Sequence, residues 1–196
     1  MTALAAKQLD DAAQIWREAA ATDPTWSWPP YNLACVAALQ GHSDDAIAQL
    51  RLMLDRAPDV DLLRRLDSDH DLGPVRDLPA FQEVVGEVAK VVLAREFSRH
   101  GSCSSMSFTR DGAYRYSCAA CCYFTGTYSY ARGRLQLEIA TVQREAMNGP
   151  GEPRPVHVHG TYRLRAEHGQ VCFDRIAATG DTDSLPLSPL PDGCWE

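Results

Sequence analysis

Six cysteines follow residue 100: Cys103, Cys118, Cys121, Cys122, Cys172 and Cys194. Cys35 stands alone ahead of them. So many sulfurs in one stretch exceed ordinary core use, and three chemistries are open to them. They can cross-link the chain, bind a soft metal such as zinc, or supply a thiolate nucleophile. An even six suits a disulfide framework in an oxidising compartment. A turn centred near Asp111 sets Cys103 opposite about Ala119, within strand-to-strand reach of Cys118 or Cys121. Cys194 can tie the end of the chain back to a sheet. For a metal, Cys118-x-x-Cys121 has one half of a zinc-knuckle spacing, and His157-x-His159 places two imidazoles on one face of a strand. No second Cys-x-x-Cys completes the set, and the histidines share parity with Thr161, Arg163 and Arg165, as a solvated face would. For catalysis, Cys118, Cys121 or Cys122 would need a base. Cys121 with His157 and Asp174 is a conceivable triad, but linear spacing does not show that the three meet. A redox Cys-x-x-Cys usually opens a helix, whereas this one lies in a strand pattern. No Gly-rich phosphate loop, Gly-x-Ser-x-Gly elbow or His-Glu-x-x-His motif occurs, so the pattern favours a non-enzymatic protein.

The elements around these cysteines alternate with a period of two. Met106 and Phe108 precede Asp111-Gly112, a hairpin turn signal. Tyr114, Tyr116 and Cys118 then share a face, which Phe124, Gly126, Tyr128 and Tyr130 continue. Arg132-Gly133 turns the chain into Leu135, Leu137 and Ile139. After a Pro/Gly loop, Val156, Val158, Gly160, Tyr162 and Leu164 form one face, and Glu167-His168-Gly169 leads to Val171 and Phe173. This succession of an Asp-Gly-x-Tyr hairpin, a Gly-Thr-Tyr strand, a turn and an alternating apolar strand resembles small lipocalin-like antiparallel barrels. Glycine within a strand lets a barrel corner, and closure hides edge strands. The expectation is a barrel or curled sheet of six to eight strands, with a sandwich as the alternative. Residues 178–196 read as an extended tail packed on it.

Ahead of Phe97 the period is helical, and a longer period overlies it. Ala12, Trp16, Ala19 and Pro24 recur 34 residues later as Ala46, Leu50, Met53 and Pro58, and Ala80 extends the series. Tyr31-Asn32-Leu33-Ala34, Gly41, Ala46, Leu50 and Pro58 resemble the tetratricopeptide repeat, with one complete copy near 27–57. Helices are expected near 3–22, 28–40, 44–56 and 79–96, with a short one over 60–66. Pro29 and Pro30 fit a first turn, Gly41 ends a helix, and Ser43 caps the next ahead of Asp44 and Asp45. The segment from Leu66 to Phe81 resembles the terminating piece of such repeat groups. The resemblance implies a protein or peptide partner in a groove lined by Trp28, Tyr31, Cys35 and Leu39. The alternative is that Trp28 and Tyr31 pack against the neighbouring helix or the second domain. Some repeat proteins grip a C-terminal carboxylate with basic residues, but only Arg64 and Arg65 occupy that region, so this activity is not carried over. Asp67, Asp69 and Asp71 have calcium-loop spacing, but Leu72 and Leu78 replace the required Gly and Glu. They read as helix-end and turn residues.

The whole is 196 residues with net charge −7 and 45% hydrophobic residues, enough for two small packed units. The charge is one-sided. Residues 1–97 hold 16 acids and 9 bases, whereas residues 98–196 hold ten of each. The reading is an α+β chain: a helical domain, 1–97, resembling tetratricopeptide hairpins, then a cysteine-rich antiparallel β domain, 98–196. The acidic half argues against nucleic acid, and no apolar run can span a membrane. So short a repeat unit would need the second domain, a partner or its own twin, a homodimer, to cover its apolar faces. The opening residues do not read as a signal peptide, which suits the cytoplasm. A trimmed start together with bonded cysteines would suit export to the periplasm or beyond. The favoured function is an interaction or adaptor protein. The alternatives are a β domain that binds a metal or small ligand, and a thiol enzyme.

Overall fold

The computed structural model describes residues 3–98, 104–118, 122–146, 149–168, 170–180 and 191–196. The chain divides into two compact units, Met1–Val92 and Leu93–Glu196. The first is helical: α1 (Ala3–Thr22), α2 (Trp28–Gln40), α3 (Ser43–Leu54), α4 (Val60–Ser68), a 3-10 turn (His70–Leu72) and α5 (Pro79–Leu93).

Local chemistry sets these boundaries. Pro29 and Pro30 open α2, where no intrahelical amide partner is lost. Gly41 ends it at φ 81°, a left-handed conformation that suits glycine. There the amide of His42 donates to the Ala37 carbonyl at 2.8 Å. Helix α3 begins one residue earlier than expected. His42, not Ser43, occupies its N-cap position, and it makes no side-chain capping bond. Asp44 and Asp45 lie in the first turn, at the positive end of the helix dipole. Asp59 caps α4 by accepting from the Leu62 amide at 2.7 Å, and Asp69 caps the 3-10 turn by accepting from the Asp71 amide at 3.0 Å. The spaced aspartates thus include turn and cap residues, as expected.

Helix α2 packs against both α1 and α3. Ala34 and Ala46 are fully buried and let backbones approach closely, while Leu50, Met53, Leu62, Leu63 and Leu66 fill the remaining core. Each such large apolar side chain contributes about 1.5–3 kcal/mol on burial.

The second unit is an eight-stranded antiparallel barrel, nearly closed. Its strands are β1 (Glu96–Ser98), β2 (Ser105–Phe108), β3 (Ala113–Cys118), β4 (Cys122–Ala131), β5 (Arg134–Ala146), β7 (Arg154–Glu167), β8 (Gln170–Gly180) and β9 (Gly193–Trp195). A two-residue strand, β6 (Gly149–Pro150), pairs only with the end of β5. The spatial order is β1-β2-β3-β4-β5-β7-β8-β9. Ser98 and Glu196 exchange two backbone hydrogen bonds, 3.0 and 2.9 Å, across the seam between the first and last strands. Helix α5 therefore stops at Leu93, not 96. Phe97 is fully buried, and its segment pairs with β2. The tail also differs from expectation: residues up to Gly180 extend β8, and 193–195 form a paired strand.

The period-two face points inward throughout. Phe108 sits at the centre of an aromatic cluster, with ring centroids 5.0 Å from Tyr128, 5.1 Å from Tyr114, 5.8 Å from Phe97 and 6.0 Å from Phe173. An eight-stranded barrel has room inside for about one layer of such side chains or one small ligand. The strand register slips between Thr125 and Gly126, where Ala140 is the extra residue of β5. Both Ile139 and Val142 are consequently buried, three positions apart. A Cβ on Gly126 would lie 1.9 Å from the Glu138 carbonyl oxygen, so the backbone crossing at this bulge requires glycine.

Candidate functional site

Helix α2 has two faces with different fates. Trp28, Tyr31 and Cys35 turn toward α4 and the 3-10 turn. Tyr31 is 2% exposed, and its hydroxyl donates to Asp69 Oδ2 at 2.6 Å. Trp28 is half-buried, with the Tyr31 ring edge-on at 5.6 Å and the Arg65 guanidinium 5.2 Å from its ring centre. Cys35 is buried. Burial, with the Asp69 and Asp71 charges beside it, pushes its thiol up to about 12. Burial first, and then the bond to Asp69, raises the Tyr31 phenol well above its usual range. Of the four residues expected to line a groove, Leu39 is the exposed one, at 40%. The other three meet this unit's own side chains.

A groove among the described residues of the helical unit lies on the opposite face of α2. It encloses about 370 Å³ between α1, α2 and the start of α3. Ala13, Val36 and Ala37 are buried beneath it, and Leu33 is half-buried. Its exposed rim carries Asp10, Arg17, His42 and Asp45. Gln40 bridges the helices by donating to Asp10 Oδ1 at 2.8 Å. The sequence offered Trp28, Tyr31, Cys35 and Leu39 as groove residues, but α4 folds back onto Tyr31, a contact that linear spacing does not show. Leu33, Val36, Ala37 and Gln40, which line this second face, also recur at helical spacing.

Among the described residues of the barrel, the candidate zinc ligands Cys118, His157 and His159 do not come together. Cys118 is buried on the inner face, and its Sγ contacts the Cys122 carbonyl oxygen at 3.6 Å. His157 and His159 are exposed on the outer face. Cys121 and Cys103 lie outside the described residues. His159 lines an outer-surface groove of about 490 Å³, opposite Glu138 and beside Thr127, Ser129, Gln136 and Thr161. The imagined triad is likewise not assembled among the described residues: Asp174 is held by Arg165 through bonds of 2.8 and 3.2 Å. Cys122, like Cys118, is buried on the inner face.

Cys172 and Cys194 form a disulfide. They are directly opposed in the β8–β9 register, so the bond fastens the last strand to the sheet. Beside it, Arg165 forks between Asp174 and Glu167, its Nη1 lying 2.7 Å from Glu167 Oε2. Hydrogen bonds from Arg165 hold both carboxyls below their ordinary range.

Comparison of the chain with protein-family models, with curated proteins and with solved structures yields no match. The geometry of its own side chains is therefore the ground for a functional reading. Among the described residues, no helix is long and apolar enough to cross a membrane.

Proposed function

We propose that the protein is an interaction or adaptor protein whose helical unit receives a basic peptide segment of a partner in the α1–α2–α3 groove. The observation that carries this reading is the groove itself, an apolar floor under a rim where Asp10 and Asp45 outnumber Arg17. Charge supports the choice of occupant. The unit Met1–Val92 has 15 acids against 8 bases, which is the whole net charge of the chain. Such a field draws cationic segments and speeds their encounter. The 34-residue spacing supports a tetratricopeptide-like reading of this unit, and the barrel is the second module that it joins to the partner.

Fluorescence anisotropy with a labelled library of basic and acidic peptides tests the idea on the full chain. Basic peptides with a central apolar residue should bind. Asp10→Lys with Asp45→Lys should weaken them by roughly tenfold or more, consistent with about 1.4 kcal/mol per decade. Equal binding of acidic peptides, or no effect of the double reversal, overturns the proposal. A dimer seen by sedimentation, and broken by the same reversal, would replace the peptide with a second copy of the chain.

A further inference from the structure

The Cys172–Cys194 disulfide lies beside groups whose arrangement suits a second chemical state. Arg165, Cys172 and Cys194 form one row across β7, β8 and β9. Glu167, at the end of β7, reaches over that row. Its Oε2 lies 3.8 Å from Cys172 Sγ and 3.9 Å from Cys194 Sγ. The disulfide sulfurs carry no proton, so these are contacts, not hydrogen bonds. One carboxylate oxygen therefore stands nearly equidistant from two sulfurs. His168 follows directly in the turn, with Nδ1 3.9 Å from Glu167 Oε1 and its side chain 90% exposed. The sulfur and carboxylate ligand atoms fall within 4.8 Å of one another.

We propose that reduction of the Cys172–Cys194 disulfide by an external dithiol converts this corner of the barrel into a zinc-class metal site, with Cys172, Cys194 and Glu167 as ligands and His168 as the fourth. In the first step the dithiol attacks one sulfur of the protein bond and then closes on itself. It leaves as a cyclic disulfide, and its two electrons and two protons remain on Cys172 and Cys194 as thiols. In the second step a divalent cation displaces both thiol protons to solvent and bonds both sulfurs. Running the exchange backwards with an oxidised dithiol re-forms the protein disulfide and releases the ion.

The geometry fits such an ion. Around a tetrahedral zinc, with Zn–S near 2.3 Å and Zn–O near 2.0–2.2 Å, a sulfur and an oxygen sit roughly 3.5 Å apart and two sulfurs roughly 3.8 Å apart. Glu167 Oε2 is already at nearly the first separation from both sulfurs. Among these three ligands only the sulfurs need to part, and rotation about their Cα–Cβ bonds can provide that; the exposed His168 ring would swing in to complete the set. The charge fits as well. Two thiolates with Glu167 and Asp174, against the single guanidinium of Arg165, leave a strongly negative site that a dication neutralises in large part. Arg165 acts as a positioning residue, holding Glu167 over the sulfurs. The strand carrying Cys194 keeps other anchors when the bond opens. It retains three paired positions with β8, the Ser98–Glu196 pair, and Trp195, which is 2% exposed and packs 6.1 Å from Tyr116.

The test uses the full chain, reduced with a water-soluble phosphine and then freed of it, and titrated with cobalt(II) and zinc(II). The reduced protein should take up one equivalent of cobalt with tetrahedral d–d bands and thiolate charge-transfer absorption. Zinc should displace the cobalt, and the oxidised protein should show neither band. Cys194→Ser should abolish the charge-transfer signature of this site. Glu167→Gln, at an exposed position that leaves the fold intact, should weaken cobalt binding by about tenfold or more, and His168→Ala by less. Circular dichroism on each variant separates loss of ligand from loss of fold. Two results overturn the proposal: no stoichiometric metal on the reduced wild type, or an unchanged cobalt spectrum in both Cys194→Ser and Glu167→Gln. The second would assign the metal to other thiols.

Discussion

The helical unit and the barrel are built from opposite kinds of information. In the helical unit α2, α4 and the 3-10 turn are delimited locally, by Pro29 and Pro30, by Gly41, and by the Asp59 and Asp69 caps. In the barrel the decisive contacts join residues far apart in sequence. Ser98 meets Glu196, Cys172 meets Cys194, and Phe97 packs on Phe173. Local caps tolerate error because one can fray while its neighbours hold. A closed register tolerates little, since a slip of one residue turns a whole inner face outward. Folding of the barrel should accordingly be the slower of the two, as non-local pairing must overcome loop entropy first.

The sharpest test of that contrast compares two glycines. A Cβ at Gly126 would strike the Glu138 carbonyl at 1.9 Å, whereas one at Gly41 meets nothing within 4 Å. Gly126→Ala should cost on the order of 3 kcal/mol or more, because backbone must move in two strands. Gly41→Ala should cost about 1 kcal/mol, the strain of its positive φ alone. Urea unfolding, with far-UV and near-UV circular dichroism followed together, gives both values. Equal costs would mean that the barrel yields at its bulge as easily as a helix end does.

A smaller effect is expected where the helical unit has a long-range bond of its own. Tyr31→Phe removes the donor to Asp69 and should cost about 1.5–3 kcal/mol, the range for a hydrogen bond to a charged group. It also tests the buried face of α2. With its thiol pushed up to about 12, Cys35 should resist iodoacetamide at pH 8 in the native wild type. It should become reactive only as the unit unfolds. Mass spectrometry of the alkylated chain reads this directly, and a rapidly labelled Cys35 would show that α4 does not cover this face in solution.

The division between local and long-range structure also explains what was legible in the sequence. The helices were readable because period, proline, glycine and cap residues act within a few positions. So were the hairpins at Asp111-Gly112, Arg132-Gly133 and His168, and the inward parity from Met106 to Phe173. Three things were not. The bulge at Ala140 carries no turn residue of its own, and its signature is the three-residue step from Ile139 to Val142. The partner of Cys172 depends on a final strand whose apolar pattern is a single tryptophan, Trp195. The buried face of α2 depends on where α4 returns, and nothing in Trp28, Tyr31 or Cys35 distinguishes a groove lining from a seat for Asp69. Parity set Cys172 on the face opposite Val171 and Phe173, where it bonds Cys194, but did not show that it is fully buried there. It did not bring Glu167 beside it, because hairpin ends carry no period.

The smallest predicted effect concerns the charges of that hairpin end. Arg165 lowers both Glu167 and Asp174 from their ordinary values. A carboxyl whose folded value is depressed adds stability at every pH above its unfolded value, and loses that addition as pH falls through the folded one. Ordinary Asp and Glu titrate near 3.9 and 4.3. Arg165→Ala should therefore lower the urea midpoint by a small, constant amount from neutral pH to about pH 5. Below about pH 4 the wild type and the variant should converge. Because these side chains are about half exposed, salt should shrink the gap at neutral pH as well. The same substitution frees Glu167 from its position over Cys172 and Cys194. A gap that widened on acidification would mean that Arg165 stabilises the barrel through packing of its stem, not through its two carboxylates. The hairpin end would then resemble the rest of the barrel, where apolar contact decides, more than the cap-governed helical unit.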